Sequence, residues 1–145
     1  MRELPRKLSV EELAELFEGR TRLVDRLAEV EDPLGQGNDV LAAMSDEEKL
    51  EALDAHPAIG ARRLSARSAA EQGSDADPTI LSELAYLNRV YEEKFGFRFV
   101  VFVHGRSKRE ILEVLRERIA RTPEEELDTG CRELVAIARD RWTGV

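Results

Sequence analysis

The sequence predicts an all-α fold, a compact single-domain bundle of about six to seven helices with one extended buried connector. Three observations carry this. Apolar residues recur at helical spacing over most of the chain, capping signals precede most of those stripes, and only one short segment has the β-branched and aromatic density of a strand.

Ser9 and Glu12 form a capping-box pair ahead of Leu13, Leu16 and Phe17. A second stripe at Leu23, Val24, Leu27 and Val30 is expected to break from the first at Gly19. Asp32 to Asn38, DPLGQGN, is expected to be a loop from its Pro, Gly and Asn content. Ser45 with Glu48 starts a short helix carrying Leu50 and Leu53, which Pro57 stops at or before His56. Asp77 and Pro78 supply an N-cap and a first-position proline for a helix with Leu81, Leu84, Leu87, Tyr91 and Phe95, ended by Gly96. Ser107 with Glu110 caps a helix bearing Ile111, Leu112, Leu115 and Ile119. Thr122, Pro123 and Glu125 open the last, whose core face is Leu127, Cys131, Leu134, Val135 and Ala138. Between them, Phe99 to Gly105 (FVVFVHG) reads as a strand with no partner strand, hence as the extended connector.

With 145 residues, no repeat and no low-complexity linker, residues 1–145 are expected to form a single domain. A hydrophobic fraction of 42% is too high for a disordered chain, even with 36% charged residues. The net charge of −8, with no dense Lys/Arg block, argues against nucleic acid or an anionic membrane as partner. The single cysteine, Cys131, makes no internal disulfide and no cysteine-rich metal cluster. The N-terminus lacks the apolar run of a secretion signal, the longest apolar stretch is too short to span a membrane, and RWTGV carries no peroxisomal address. A soluble, cytoplasmic protein is expected.

The residues able to carry chemistry are few. His56 stands at a helix C-terminus, which favours the protonated imidazole and suits an acid or base; the same position also suits a simple C-terminal cap. Ser68, Glu71 and Gln72 of SAAEQ share a face if that segment is helical and would grip a small, hydrogen-bonding ring, although Ser-x-x-Glu is equally a capping box. The connector offers a wall, either of core or of pocket. Its backbone N–H and C=O groups need partners if buried, and a polar ligand could supply them. Arg141 is a cation at a helix end or a bidentate partner for a carboxylate. No metal-ligand spacing, phosphate-binding Gly-rich loop or G-x-S-x-G elbow occurs, so no metal site and no nucleotide or redox chemistry is expected.

In order, AHPAIG (Ala55–Gly60), SAAEQ (Ser68–Gln72), LNRVYEEKFGFRFVVFVHGRSKREIL (Leu87–Leu112) and IARDRW (Ile137–Trp142) resemble the 2-oxo-4-hydroxy-4-carboxy-5-ureidoimidazoline (OHCU) decarboxylase family. Asn88, Tyr91, Lys94, Phe95 and Gly96 match its N-x-x-Y-x-x-K-F-G pattern position by position. The resemblance implies an all-α homodimer that converts the ureidoimidazoline to (S)-allantoin in urate degradation, as a carboxy-lyase without cofactor. It implies that His56 is catalytic together with Glu71, and that Pro57 shapes the turn after His56 and lines the substrate site. Ser68, Glu71, Gln72, the backbone of Phe99, Val100, Val101, Phe102 and Val103, and Arg141 in preference to Arg139, would bind substrate. The chain departs from the family's usual pattern at Arg98, where Pro is common, at His104, where Arg is common, and at residues 73–77. A decarboxylase of a related ureide or imidazoline, and a non-enzymatic helical interaction module, are the alternatives.

Overall fold

A computed structural model describes residues 7–56 and 77–143 and contains, among them, seven α-helices and no strand. They are α1 (Val10–Leu16), α2 (Arg22–Leu27), α3 (Pro33–Ala42), α4 (Asp46–Asp54), α5 (Pro78–Phe95), α6 (Lys108–Ile119) and α7 (Pro123–Thr143). The expected starts hold. Ser9, Ser45 and Ser107 each accept a hydrogen bond from the backbone three residues on, and Glu12, Glu48 and Glu110 return one, giving three complete capping boxes. Asp77 caps α5, and Gly96 ends it in the left-handed conformation at φ 79°.

One expectation is corrected. DPLGQGN is not a loop but the first two turns of α3. Pro33 occupies the first helical turn, where its missing N–H costs nothing, and Asp32 accepts from the Gly35 N–H as N-cap. Packing overrides the low helix propensity of the glycines: a Cβ at Gly37 would lie 3.1 Å from both methyls of Val135. The bare backbone of α3 therefore sits tightly on α7.

Helix α7 is the shared support, since α1, α3 and α4 all pack against it, while α2 bridges α1, α3 and α4. α5 pairs with α6. One apolar core runs through Leu13, Leu23, Leu27, Leu53, Leu84, Tyr91, Leu115, Leu134 and Trp142, all essentially without solvent exposure.

The connector between α5 and α6 is extended as expected. Phe99, Val100, Val101 and Val103 are buried and Phe102 half-buried. In place of a neighbouring strand, side chains from three helices and from the connector itself satisfy much of its backbone. The Arg98 N–H donates to Asp54 Oδ1 at 3.2 Å, the Val100 carbonyl accepts from Arg118 at 2.7 Å, and the Phe102 N–H donates to Glu133 at 3.3 Å. Arg106 closes the far end on the carbonyls of Phe102 and Val103.

Behind the connector lies a buried polar cluster. Glu126, fully buried, accepts from the Tyr91 hydroxyl at 2.6 Å, Arg118 Nε at 2.8 Å and Arg121 Nη1 at 3.0 Å. The Arg118 guanidinium also lies over the Phe99 ring, 4.6 Å from its centroid. No helix among the described residues is long and apolar enough to cross a membrane.

Candidate active site at the end of helix α4

His56 follows α4 directly, past the C-cap Ala55, and its own N–H still bonds back to the Leu53 carbonyl at 3.1 Å. A helix end leaves carbonyls without intrahelical donors, and Arg98 reaches them from the connector. Its Nη1 donates to the carbonyl of His56 at 2.6 Å and to that of Asp54 at 3.1 Å.

The imidazole is buried, and its Nδ1 makes no hydrogen bond among the described residues. Burial pushes its pKa from 6.5 down to about 4; the nearby cations Arg141 and Arg98 push the same way, and Glu18 opposes them. This corrects the expectation of a favoured imidazolium. The carbonyl dipole at the helix end is real, but loss of water and two guanidinium groups outweigh it, so His56 is neutral at pH 7.

Arg141 is not a surface cation. It lies in the last turn of α7 with its side chain 1% exposed, and its Nη1 donates to the Leu16 carbonyl at 2.9 Å and pairs with Glu18 Oε1 at 3.0 Å. Arg139, by contrast, is exposed. The turn carrying Glu18 abuts the end of α4: a Cβ at Gly19 would lie 3.8 Å from the Ala55 Cβ, and the Arg22 N–H donates to Glu51 Oε1 at 2.7 Å. Three chain segments thus converge on His56, bringing Glu18 from the α1–α2 turn, Arg98 from the connector and Arg141 from α7.

On the connector, Val101 is buried, and neither its N–H nor its carbonyl bonds to another described residue. Of the expected site, His56, Phe99–Val103 and Arg141 are described, whereas Pro57, Ser68, Glu71 and Gln72 lie outside the described residues. His104 is exposed, at a left-handed φ of 46°, with its ring 4.8 Å from that of Phe102. Among the described residues, no group of three or more His, Cys, Asp or Glu could hold a metal ion.

Sequence reasoning passed over Glu18, because a glutamate before glycine at the end of a short helix reads as solvated surface. It met Arg98 only as a departure from a pattern.

Residues 2–143 match the family model described as OHCU decarboxylase. The chain belongs to the OHCU decarboxylase family. Among curated members, the Haloferax volcanii 2-oxo-4-hydroxy-4-carboxy-5-ureidoimidazoline decarboxylase is 35% identical over 103 residues, covering 67% of this chain and 61% of that protein. A uric acid degradation bifunctional protein of Arabidopsis thaliana is 35% identical over 102 residues, covering 63% of this chain and 32% of its own length. The chain thus spans about a third of that bifunctional relative, and 22% of the similar bifunctional protein of Bacillus subtilis.

Of solved structures, an OHCU decarboxylase crystallised in the presence of (S)-allantoin superposes with a TM-score of 0.76 at 24% identity, covering 92% of this chain and 96% of that one. An (S)-allantoin synthase superposes at 0.71 and 22% identity, over 93% of this chain and 48% of that one. At these identities the superpositions establish the fold alone, the all-α fold of the OHCU decarboxylases.

Proposed function

We propose that this chain decarboxylates 2-oxo-4-hydroxy-4-carboxy-5-ureidoimidazoline to (S)-allantoin, without a cofactor, as a cytoplasmic homodimeric carboxy-lyase of urate degradation built from a single domain, residues 1–145. The observation that carries the reading is a buried, neutral imidazole whose Nδ1 has no hydrogen-bond partner among the described residues, set among Arg141, Glu18 and Arg98. Membership of the family supports it.

The substrate bears a hydroxyl and a carboxylate on one ring carbon. When CO₂ leaves, the electron pair of the broken C–C bond passes into the ring, which serves as its own electron sink. The protein's work is to hold the carboxylate out of the ring plane, exclude water and move a proton on one face. Neutral His56 takes the hydroxyl proton and, as imidazolium, returns it to ring carbon after CO₂ has gone, while the ring nitrogen that received the electron pair takes one further proton from solvent. Arg141 supplies positive charge for the anionic end. The N–H and carbonyl of Val101, unpaired among the described residues, offer a donor and an acceptor to the ring amides. Pro57, Ser68, Glu71 and Gln72, from the segment after His56, complete the grip, with Glu71 on the ureido N–H groups.

The test is chiral. Fresh substrate is generated from urate by urate oxidase and hydroxyisourate hydrolase, and the allantoin enantiomers are separated. An excess of (S)-allantoin over the spontaneous racemate supports the reading, and a racemate at the uncatalysed rate refutes it.

A further inference from the structure

We propose that Glu18 is a positioning residue for this reaction: its carboxylate holds the Arg141 guanidinium beside His56 and balances its charge. This rests on the reading of His56 and Arg141 given above. Nothing in the sequence pattern points to Glu18, and three independent features of the structure do.

The first is its backbone. Glu18 has φ 65°, the left-handed region that side-chain-bearing residues avoid at a cost, because Cβ crowds the following carbonyl oxygen. A glycine would remove that cost, yet the glycine of this turn stands one position later, at Gly19. The chain accepts strain to place a carboxylate there.

The second is its partner. Glu18 Oε1 lies 3.0 Å from Arg141 Nη1, and the two side chains are 14% and 1% exposed, so this is a desolvated pair rather than a surface contact. Arg141 is held on the same nitrogen by the Leu16 carbonyl, so α1 and its following turn both help to aim the guanidinium.

The third is electrostatic. Among the described residues, the charged groups acting on His56 are Arg141 from α7, Arg98 from the connector and Glu18 from the α1–α2 turn; Asp54, at the end of α4, binds the Arg98 backbone. Both arginines drive the proton off the imidazole, and Glu18 alone of the three favours it. A site that must bind an anion needs the arginines, and a site that must also hand over a proton needs something to offset them. Glu18 meets the second need without weakening the geometry of the first.

The experiment compares wild type with Glu18→Gln, which keeps an acceptor for Arg141 but removes the charge, and Glu18→Gly, which relaxes the backbone and removes both. The His56 imidazole is titrated by NMR in each, its signal assigned by its absence in His56→Asn. Turnover is followed with the chiral assay. In Glu18→Gln the His56 midpoint should fall, and kcat should drop about tenfold while KM stays level or decreases. In Glu18→Gly the relaxed backbone offsets only part of the loss of the carboxylate opposite the buried Arg141, so stability in urea denaturation should fall, and KM should rise because Arg141 has lost one of the groups that aim it. An unchanged His56 midpoint in Glu18→Gln, or lower stability in both variants with kcat and KM intact, overturns the proposal. A wild-type protein that makes no excess of (S)-allantoin overturns the decarboxylase reading instead, and the NMR titration still decides whether Glu18 sets the charge at His56.

Discussion

Arg98 Nη1 donates to the carbonyl oxygen of His56 at 2.6 Å, tying the connector to the residue on which the proposed chemistry turns. The same nitrogen reaches the Asp54 carbonyl at 3.1 Å, and the Arg98 Nε reaches Glu92 at 3.4 Å. A proline, common at this place in the family, could make none of these contacts. Arg98→Met should therefore cost about 1–3 kcal/mol of stability, as expected for hydrogen bonds from a charged donor. It should also raise the His56 midpoint, since a cation is removed. Urea denaturation and NMR titration measure the two effects separately.

His56→Asn should lose about 10²–10⁴-fold in kcat, equal to roughly 3–5 kcal/mol of barrier, while keeping its helical circular dichroism. A folded His56→Asn protein with near-normal turnover would remove the imidazole from the mechanism.

The depressed pKa of His56 carries a stability consequence with a definite sign. The unfolded chain binds the proton near pH 6.5 and the folded one only near pH 4, so acid favours unfolding. The contribution is intact above pH 6.5 and is lost as pH falls through about 4. Its size is about 3 kcal/mol, from 1.36 kcal/mol per pKa unit. Wild type should lose more stability between pH 7 and pH 4 than His56→Gln does, by about that amount, in urea titrations at each pH.

The Glu126 cluster should be unforgiving of single changes. Glu126→Leu strands the Arg118 guanidinium, only 6% exposed, without its carboxylate and should cost about 3–5 kcal/mol. Tyr91→Phe deletes one neutral donor to Glu126 while keeping the ring among Phe95, Phe97 and Phe99, and should cost about 1–3 kcal/mol. Equilibrium urea denaturation ranks the two.

At the crossing of α3 and α7, Gly37→Leu should destabilise by about 1–3 kcal/mol because the new side chain enters the space of Val135. Val135→Ala should return part of the loss in a double-mutant cycle.

The helix starts were legible because capping is local chemistry: Ser9–Glu12, Ser45–Glu48 and Ser107–Glu110 carry their own instruction within four residues. The start of α3 was not, because Gly35 and Gly37 read as breakers until Val135, about a hundred residues away, shows why no side chain fits at Gly37. The site divides in the same way. His56 could be placed from the proline after it and the helix before it, and Arg141 from the ordered motifs. The protonation of His56 could not, since it depends on burial and on charges from three distant segments. Glu18 was hidden for the same reason. Its role exists only through a contact spanning most of the chain, and a backbone angle leaves no trace in residue type unless glycine occupies the position.

Glu126 also bears on how the molecule comes apart. Its carboxylate joins α5 through Tyr91, α6 through Arg118 and the following turn through Arg121, while Arg118 continues to the connector at Val100. Separating α6 from Glu126 strands buried charge, and peeling away α5 or the connector leaves a buried polar group without its partner. Partial opening on this side is thereby penalised, and α5, α6, the connector and the start of α7 should exchange their amide hydrogens as one cooperative unit. The tether from Arg98 to His56 then couples the end of α4 to that unit, so the candidate active site inherits the rigidity of a cluster that takes no part in its chemistry.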